Sequence, residues 1–380
     1  MKILMVLTYY YPHWTGLTAY AQRLAEGLVA RGHQVTVLTS RFRKDLAREE
    51  VHNGVQIIRL PSWFRLSRGQ VMPSFVSVVN RLVGECDVVQ IHTPMLESWL
   101  VGILAHRRGR KMLMTHHGDL VMPAGFWNQI VQKAVGFLLD KGADSADAIS
   151  IHSQDYADCS DYLRPWAEKV AAIYPPVETP KPDPRAVAAW RKELDLDGYK
   201  LVGFAGRFVE EKGFDYLLKA IPLVVEQMPK VKFAYAGDCQ VAYEDFYGHW
   251  QHLIDANREH LKLLGLITDR QRLADFYAMC DVFALPSRTD CFPSVQIESL
   301  LCGTPLVSTN IPGAREVVSV TGMGVLVEPR NERALADGLL KVLANHADYV
   351  KSYEQVRDVF NTDRTIAAYE GLLRRLIDAA

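Results

Sequence analysis

Short apolar runs alternate along the chain with stretches in which apolar residues recur every three or four positions. The runs are typical of buried strands, and the stretches between them are typical of amphipathic helices. The first half holds seven runs, at residues 2–8, 34–40, 55–60, 87–93, 111–117, 148–153 and 169–177. The second half holds six, at residues 199–208, 231–238, 261–267, 281–287, 305–310 and 324–329. This alternation predicts an α/β chain with two parallel sheets.

Helices are predicted between the runs, and the first is the clearest. Its apolar positions share one face, and Gly32 ends it: Leu17, Tyr20, Ala21, Leu24, Ala25, Leu28 and Val29. Further helices fit residues 270–280 and 294–302. The tail from about 331 to 380 reads as helical, with a break near Asn361.

Residues 174–184 hold five prolines in eleven positions. Because proline removes a backbone donor and fixes φ, this stretch predicts a linker at 177–190. A chain of 380 residues also suits two domains rather than one core. We therefore expect Rossmann-like domains at 1–176 and 191–361, with a ligand-binding cleft between them.

The composition excludes several classes. Lys plus Arg number 43 and Asp plus Glu 44, a net charge of −1, which argues against a nucleic-acid protein that relies on bulk basicity. No apolar run is long enough for a transmembrane helix, and the N-terminal run reads as a strand rather than a secretory signal. The six cysteines form no CxxC pair and read as small buried residues in a reducing compartment. The expected location is the cytoplasm.

The most informative segment is residues 287–318. A strand ends before it, a loop carries Asp290, and Pro293 suits the first turn of a helix that contains Glu298 and ends at Gly303. The free N–H groups of a helix N-terminus bind anions, and the two acids are placed to hold hydroxyl groups of a phosphate-linked ligand. The alternative is a capping acid at Asp290 and a solvated acid at Glu298.

A second segment, residues 204–220, places Arg207 and Lys212 around a turn after a strand that contains Gly203. Arginine clamps phosphate oxygens with its planar fork, and lysine adds a point charge. The alternative is surface pairing with the neighbouring acids Glu210 and Glu211. A third segment, residues 8–20, turns at Gly16 without matching a dinucleotide fingerprint or a P-loop.

Histidines end two of the predicted strands in the first half. Residues 112–120 deliver His116 and His117 to a carboxyl edge, where ligands of parallel sheets bind, and His92 ends another strand. A hydrogen-bonding or charge-stabilising role fits better than a metal role, because no ligand set with metal spacing accompanies them. The D-x-D at Asp195–Asp197 reads as a turn or helix end.

Taken in order, these segments resemble the family-4 retaining glycosyltransferases of the GT-B fold, from Met1 to about Leu343. Residues 281–318 are similar to that family's strand–PS–E-x7-E–G-x-P block, and 206–213 to its G-R-x4-K-G segment. The opening, with GLVARGHQVTVLT, is also similar to the family's N-terminal block. The resemblance implies two Rossmann-like domains facing across a deep cleft. It also implies a C-terminal helix, about 362–380, that crosses back to the first domain.

The resemblance implies roles for the charged residues. Arg207 and Lys212 would hold the donor diphosphate, with the protein rather than a metal ion supplying the positive charge. Glu298 would bind the nucleotide ribose, and Asp290 would contact the transferred sugar. We expect Arg207, Lys212, Asp290 and His117 to act in catalysis, and no resident cofactor.

Other donor contacts also follow from the resemblance. Gly16 would approach the phosphate or sugar, and His117 would contact the sugar near the reacting carbon. Backbone groups of Phe292, Pro293 and Ser294 would complete the anion cradle.

The segment 264–267, with Leu266, would lie against the base. Two residues depart from the family pattern. Asp290 stands where glutamate is usual, which affects sugar choice. Thr15 replaces the first glycine of the usual N-terminal pair, which affects the phosphate pocket.

The expected reaction is retaining transfer of a hexose from a nucleotide sugar, with UDP-sugar first and GDP-mannose second, to a saccharide or lipid-linked acceptor. Open alternatives are a phosphorylase, a nucleotide-sugar epimerase or a non-catalytic partner subunit that binds nucleotide sugar. Two aromatic stretches, 60–75 and 122–140, are candidates for a lipid-linked acceptor or a peripheral membrane surface. The first mixes Trp63, Phe64 and Leu66 with Arg65 and Arg68.

Overall fold

The computed structural model describes residues 1–66, 69–120, 126–239, 241 and 244–379. The chain divides into two compact units. The first comprises Met1–Pro176 together with Thr362–Ala380, and the second comprises Val177–Asn361. Each unit is built around its own parallel sheet.

The described part of the first unit has ten strands. They are β1 (Lys2–Val6), β2 (Gln34–Arg41), β3 (Glu49–His52), β4 (Val55–Pro61), β5 (Phe64–Leu66), β6 (Gly69–Val71), β7 (Val88–Thr93), β8 (Lys111–His116), β9 (Ala148–Ile151) and β10 (Val170–Ala172). Eight form a sheet in the order β10-β9-β8-β7-β1-β2-β4-β3, parallel except for the edge strand β3. The central strands are buried along nearly their whole length, which explains why most of their residues are apolar.

Among the described residues up to Pro176, the α-helices are α1 (Gly16–Ala30), α2 (Phe75–Glu85), α3 (Ser98–Arg107), α4 (Phe126–Ser145) and α5 (Gln154–Cys159). The Thr15 hydroxyl accepts a hydrogen bond from the Thr18 backbone N–H, and the Thr18 hydroxyl accepts one from the Thr15 N–H. This capping box fixes the start of α1. Leu24 and Leu28 of the predicted apolar face are fully buried.

The second unit has a six-stranded sheet, entirely parallel, in the order β13-β12-β11-β14-β15-β16. Its strands are β11 (Lys200–Ala205), β12 (Val231–Ala236), β13 (Leu261–Gly265), β14 (Val282–Leu285), β15 (Leu306–Thr309) and β16 (Gly324–Val327). The prediction of two parallel sheets in Rossmann-like domains is confirmed.

The helices of the second unit are α6 (Pro184–Glu193), α7 (Phe214–Gln227), α8 (Phe246–Ala256), α9 (Arg270–Met279), α10 (Ser294–Leu301), α11 (Ala314–Thr321), α12 (Glu332–Ala344), α13 (His346–Tyr349) and α14 (Tyr353–Val359). The structure differs from the predicted linker at 177–190, because α6 occupies its second half. Asp183 caps this helix, Pro184 takes its first position and Trp190 is buried. The last proline of the cluster therefore starts a helix instead of extending a connector.

The last helix, α15 (Thr362–Asp378), belongs to the first unit. Ile366, Tyr369 and Leu373 enter the core formed with α1 and the first sheet. A Cβ on Gly27 of α1 would lie 2.7 Å from the Ile366 side chain, so a glycine there allows the close approach of the two helices. Among the described helices, none is both long and apolar enough to cross a membrane.

Candidate functional site

Two loops of the second unit meet at the carboxyl edge of its sheet. One follows β11 and carries Arg207 and Lys212, and the other follows β14 and carries Asp290. Because β11 and β14 are neighbours in the sheet, the loops lie side by side. The Lys212 Nζ lies 2.5 Å from Asp290 Oδ2, although the residues are 78 positions apart.

The Lys212–Asp290 pair is largely removed from solvent. The exposed fractions of the two side chains are 20% and 9%. Burial opposes the charge on Lys212, but Asp290 and Glu211 outweigh it and raise the lysine pKa above its usual value. Lys212 is therefore a fixed cation at neutral pH. Its position beside a helix N-terminus suits it to an anionic ligand that displaces or shares Asp290.

Arg207 is held differently. Its guanidinium lies 2.7 Å from Glu211 Oε1, and both side chains are substantially exposed. An exposed ion pair of this kind contributes little free energy. Replacing the Arg207 contact to Glu211 by a contact to a phosphate oxygen would therefore cost little free energy.

The loop that carries Lys212 is held by an arginine that the sequence reasoning did not select. Arg288 donates a bidentate pair of hydrogen bonds to the Asp215 carboxylate, at 2.8 and 2.9 Å. Its guanidinium also donates to the Glu210 carbonyl, and its backbone N–H donates to the Glu211 carbonyl. Arg288 thus ties the two loops together directly beneath the Lys212 turn.

We expect Arg288→Ala to destabilise the second unit by about 2–3 kcal/mol, because it leaves the buried Asp215 carboxylate with only the longer contact to Lys219, at 3.4 Å. The Asp215 side chain is 1% exposed. Urea unfolding of the full chain measures the effect. The matched control is Arg258→Ala, which breaks an exposed pair with Asp255 and should cost less than about 1 kcal/mol. Equal effects of the two substitutions would contradict this role for Arg288.

The loop after β14 leads directly into α10. Pro293 precedes the helix and makes no side-chain capping hydrogen bond, while the Gln296 backbone N–H donates to the Pro293 carbonyl. The start of α10 therefore directly follows the Asp290 loop. Phe292 is buried with its ring edge toward Phe360, and Ser294 is half-buried. Gly313 has a φ of +78°, and a Cβ there would lie 2.0 Å from the Cys291 carbonyl oxygen. Only glycine lets the backbone after β15 pack against this loop.

Glu298 lies on the second turn of α10 and is oriented by a tyrosine. The Tyr277 hydroxyl donates a hydrogen bond of 3.0 Å to Glu298 Oε2. Burial, together with the Glu298 charge, raises the Tyr277 pKa well above its usual value, so the hydroxyl stays protonated. Tyr277 is a second residue that the sequence reasoning missed, because its spacing from Glu298 has meaning only once α9 packs on α10.

Leu266 follows β13, and its side chain is 61% exposed; its contact with the base stays a prediction. In the first unit, Gly16 is the first residue of α1, and a Cβ there would meet no atom within 4 Å. Packing within the unit therefore does not require a glycine at this position. Thr15 serves as the cap of α1, which gives this departure from the family pattern a structural role.

His117 lies at the carboxyl edge of the first sheet, between two other histidines. His92 Nδ1 is 2.9 Å from His117 Nε2, and His152 Nε2 is 3.1 Å from His117 Nδ1. Both ring nitrogens of His117 are thus engaged, so its ring can bond a ligand only in exchange for one of these contacts. Burial lowers the pKa of His92 and of His152 to about 3. It also lowers the pKa of His117 well below its usual value, an effect that the neighbouring imidazoles increase.

His92 and His117 were candidates from the sequence, whereas His152 was not. The signal was available, since His152 lies next to the end of the predicted run 148–153 just as His92 lies next to the end of the run 87–93. Within the described ranges, no group of three His, Cys, Asp or Glu side chains is arranged to hold a metal ion.

Two family models match the chain, one in each unit. The model described as "Glycosyl transferase 4-like domain" matches residues 15–176, and "Glycosyl transferases group 1" matches residues 187–359. Together they span most of both sheets and both loops of the site.

Curated relatives match over nearly the whole length. An uncharacterized glycosyltransferase of Methanocaldococcus jannaschii is 26% identical, covering 91% of this chain and 90% of the relative. The gpi3 subunit of the Schizosaccharomyces pombe phosphatidylinositol N-acetylglucosaminyltransferase is 24% identical, covering 98% and 82%. A GDP-mannose-dependent alpha-(1-6)-phosphatidylinositol monomannoside mannosyltransferase of Mycolicibacterium smegmatis is 24% identical, covering 90% and 89%.

Solved structures share the fold. Sucrose-phosphate synthase from Thermosynechococcus elongatus superposes with a TM-score of 0.77 at 21% identity, and all of each chain is covered. Anabaena HepE, solved in complex with UDP and glucose, superposes with a TM-score of 0.78 at 20% identity, again over both whole chains. With both family models matched and the fold shared, the chain belongs to the group 1, 4-like glycosyltransferases, enzymes of the GT-B fold that transfer a sugar from a nucleotide-sugar donor.

Proposed function

We propose that this enzyme transfers a hexose from a nucleoside-diphosphate sugar with retention of the anomeric configuration, and that its second unit binds the donor. The observation that carries the proposal is the buried Lys212–Asp290 pair beside the N-terminus of α10. A fixed cation, the N-terminus of α10 and an exchangeable arginine make a site for a diphosphate.

The charged groups act on the leaving diphosphate. As the bond from the anomeric carbon to the phosphate oxygen breaks, its electron pair passes to the diphosphate and the sugar becomes oxocarbenium-like. Lys212, Arg207 and the N–H groups of α10 stabilise the added negative charge. The acceptor hydroxyl attacks from the same face and gives its proton to the departing phosphate oxygen, so no enzyme nucleophile is needed.

The two acids take different parts. Glu298, held by the Tyr277 hydroxyl, presents its carboxylate to the ribose hydroxyls. Asp290 contacts the transferred sugar once the diphosphate has taken over Lys212. Because aspartate is one methylene shorter than the usual glutamate, its carboxylate reaches less far toward the sugar, which affects which sugar is accepted. Leu266, Phe292, Pro293 and Ser294 complete the donor site through their backbone.

In the first unit, we propose that Gly16 and the His117 region contact the donor sugar or phosphate. The open space around Gly16 supports the first role. The position of His117 at the carboxyl edge of the sheet supports the second.

A thermal-shift panel of UDP, GDP, ADP and their sugar conjugates, each with and without a chelator, tests the donor site. A ligand at 100 times its Kd adds about 2.7 kcal/mol to the stability of the native state. We expect one nucleotide to raise the melting temperature selectively, UDP first and GDP second, with no effect of the chelator. HepE was solved with UDP and the M. smegmatis relative uses GDP-mannose, which supports these two candidates. No shift from any nucleotide with folded protein would contradict the donor site.

For the acceptor, we propose a lipid-linked substrate reached through an aromatic surface of the first unit. Trp63 and Phe64 of the β5–β6 hairpin are 77% and 56% exposed, and Trp14 is 44% exposed. Gln70 of the hairpin donates a hydrogen bond to the Tyr9 hydroxyl, which joins the hairpin to the loop that carries Trp14. Relatives named for phosphatidylinositol substrates support a lipid-linked acceptor.

The other aromatic stretch, 122–140, is described only in part. Its residues 122–125 lie outside the described residues, as does Arg68 of the first stretch, whereas Phe137 of α4 is exposed. Once the panel identifies the donor, turnover with phosphatidylinositol vesicles and with soluble sugars separates the acceptor classes. Donor binding without turnover on either acceptor would favour the non-catalytic alternative.

A further inference from the structure

Three neighbouring strands of the first sheet each deliver a histidine to the same edge. His92 lies near the end of β7, His117 directly follows β8, and His152 directly follows β9. These strands are adjacent and parallel, in the order β9-β8-β7. The topology therefore places three imidazoles in a row across the carboxyl edge of the sheet.

The three rings contact each other through specific nitrogens. His92 uses Nδ1, His152 uses Nε2, and His117 uses both of its nitrogens, at 2.9 and 3.1 Å. The other nitrogen of His92, Nε2, is buried and has no hydrogen-bond partner among the described residues. The contacts thus form one line with His117 at its centre.

A neutral imidazole has one N–H donor and one acceptor nitrogen. If His92 Nδ1 donates to His117 Nε2, then His117 must donate from Nδ1 to His152 Nε2, and all three rings carry their proton on Nδ1. If the direction reverses, all three carry it on Nε2. No mixed arrangement satisfies both contacts.

We infer that His92, His117 and His152 form a single imidazole chain with one shared tautomer, in which His92 and His152 are positioning residues for His117. The inference rests on the proposed function for its catalytic consequence, because His117 is there assigned to the donor sugar. Its structural content, the shared tautomer, does not depend on that function.

A buried pair of tyrosines covers one side of the imidazole chain. The Tyr20 ring lies 4.9 Å from the His117 ring, edge to face, and 4.8 Å from the His152 ring. Its hydroxyl is hydrogen-bonded to the hydroxyl of Tyr369, which α15 contributes from 349 residues along the chain. The C-terminal helix thereby helps to exclude water from the imidazoles, which keeps them neutral and their hydrogen bonds directional.

Nitrogen-15 NMR of histidine-labelled full-length protein tests the shared tautomer. Signals of the three residues are assigned by their loss in His92→Asn, His117→Asn and His152→Gln. We expect all three rings to be neutral at pH 7.5 and to show the same protonated nitrogen. Two different tautomers among the three residues would contradict the proposed imidazole chain.

Activity with the identified donor tests the positioning roles. His92→Leu and His152→Leu remove the contacts and should lower kcat about 10- to 100-fold with little change in KM, since misplaced groups mainly affect the transition state. The replacements His92→Asn and His152→Gln place an amide near the contacting nitrogen and should restore most of the lost kcat. Restoration by the amides distinguishes positioning from mere core packing.

His33→Asn is the matched control. His33 is a buried histidine of the same unit, but it contacts Glu370 and is not part of the imidazole chain. The substitution should leave kcat unchanged. Full activity of both leucine variants would overturn the positioning roles, as would loss of activity in the amide variants equal to that in the leucine variants. If no donor supports turnover at all, the proposed function fails, while the tautomer measurement still decides whether the chain exists.

Discussion

Lys212→Ala is expected to lower kcat/KM about 100- to 1,000-fold, the usual cost of losing one group that stabilises transition-state charge. Lys212 is the buried cation of the candidate donor site, and its charge is maintained by Asp290 and Glu211 against the effect of burial. Its loss leaves the departing diphosphate with Arg207 and the N–H groups of α10 alone. Most of the reduction should fall on kcat, because charge develops on the diphosphate as the bond breaks. Initial-rate kinetics with the donor from the thermal-shift panel measure it.

Two controls make this result specific. Lys232→Ala removes a lysine of the same unit near the amino end of β12, away from the loops of the site, and should retain full activity. The double variant Lys212→Ala, Asp290→Asn removes the stray carboxylate that the single substitution leaves behind. We expect the double variant to stay inactive. Its recovery would show that the single variant fails through the unpaired Asp290, and unchanged turnover of Lys212→Ala would contradict the proposed diphosphate role.

Acidification is expected to destabilise the protein steeply between about pH 6.5 and pH 4.5. Burial lowers the pKa of His92 and His152 from 6.5 to about 3, and that of His117 is lowered as well. Below pH 6.5 these three imidazoles bind protons in the unfolded chain but stay neutral in the folded protein. The free energy of unfolding therefore falls as pH falls. Each buried imidazole contributes about 1.4 kcal/mol per pH unit over this range. The stabilisation is complete above pH 6.5 and is lost progressively below it.

The pH window separates the imidazoles from the carboxylates around them. Asp119, which contacts His116 and Ser160, and Glu370, which contacts His33 and Arg374, have lowered pKa values and contribute at more acidic pH. Urea unfolding at a series of pH values gives the slope. His92→Asn should reduce the slope of the free energy of unfolding against pH by the contribution of one imidazole. His252 is exposed, so His252→Asn should leave the slope unchanged. A slope that is the same in all three proteins would show that His92 binds its proton as readily in the folded protein as in the unfolded chain.

Local physical chemistry accounts for the part of the fold that was predicted. The periodicity of apolar residues is a property of neighbours in the chain, so the parallel strands and the helices 270–280 and 294–302 were found within one or two residues, except that β10 and β11 end five and three residues earlier than predicted. The edge strand β3 and the β5–β6 hairpin were missed. These strands are short, and their residues are charged or exposed. The strands form because a partner strand is available to pair with, not because of an apolar pattern.

The sequence by itself determined which residues carry charge and which of them lie near the carboxyl ends of the apolar strands. This was enough to select Lys212, Asp290, Glu298 and His117 separately. Only the tertiary structure decided which of them meet. Lys212 contacts Asp290 because β11 lies beside β14, and the three histidines join because β7, β8 and β9 are consecutive in their sheet.

The buried partners also depended on the tertiary structure. The local sequence around Arg288 does not show whether its side chain lies in solvent or pairs with a buried acid. In the structure it pairs with Asp215. Burial raises the energetic consequence of each polar contact, and burial is a property of the packed chain rather than of any segment. The residue types and their order along the strands were therefore readable in advance. The pairings that give those residues their pKa values and orientations arose only when the two sheets were assembled.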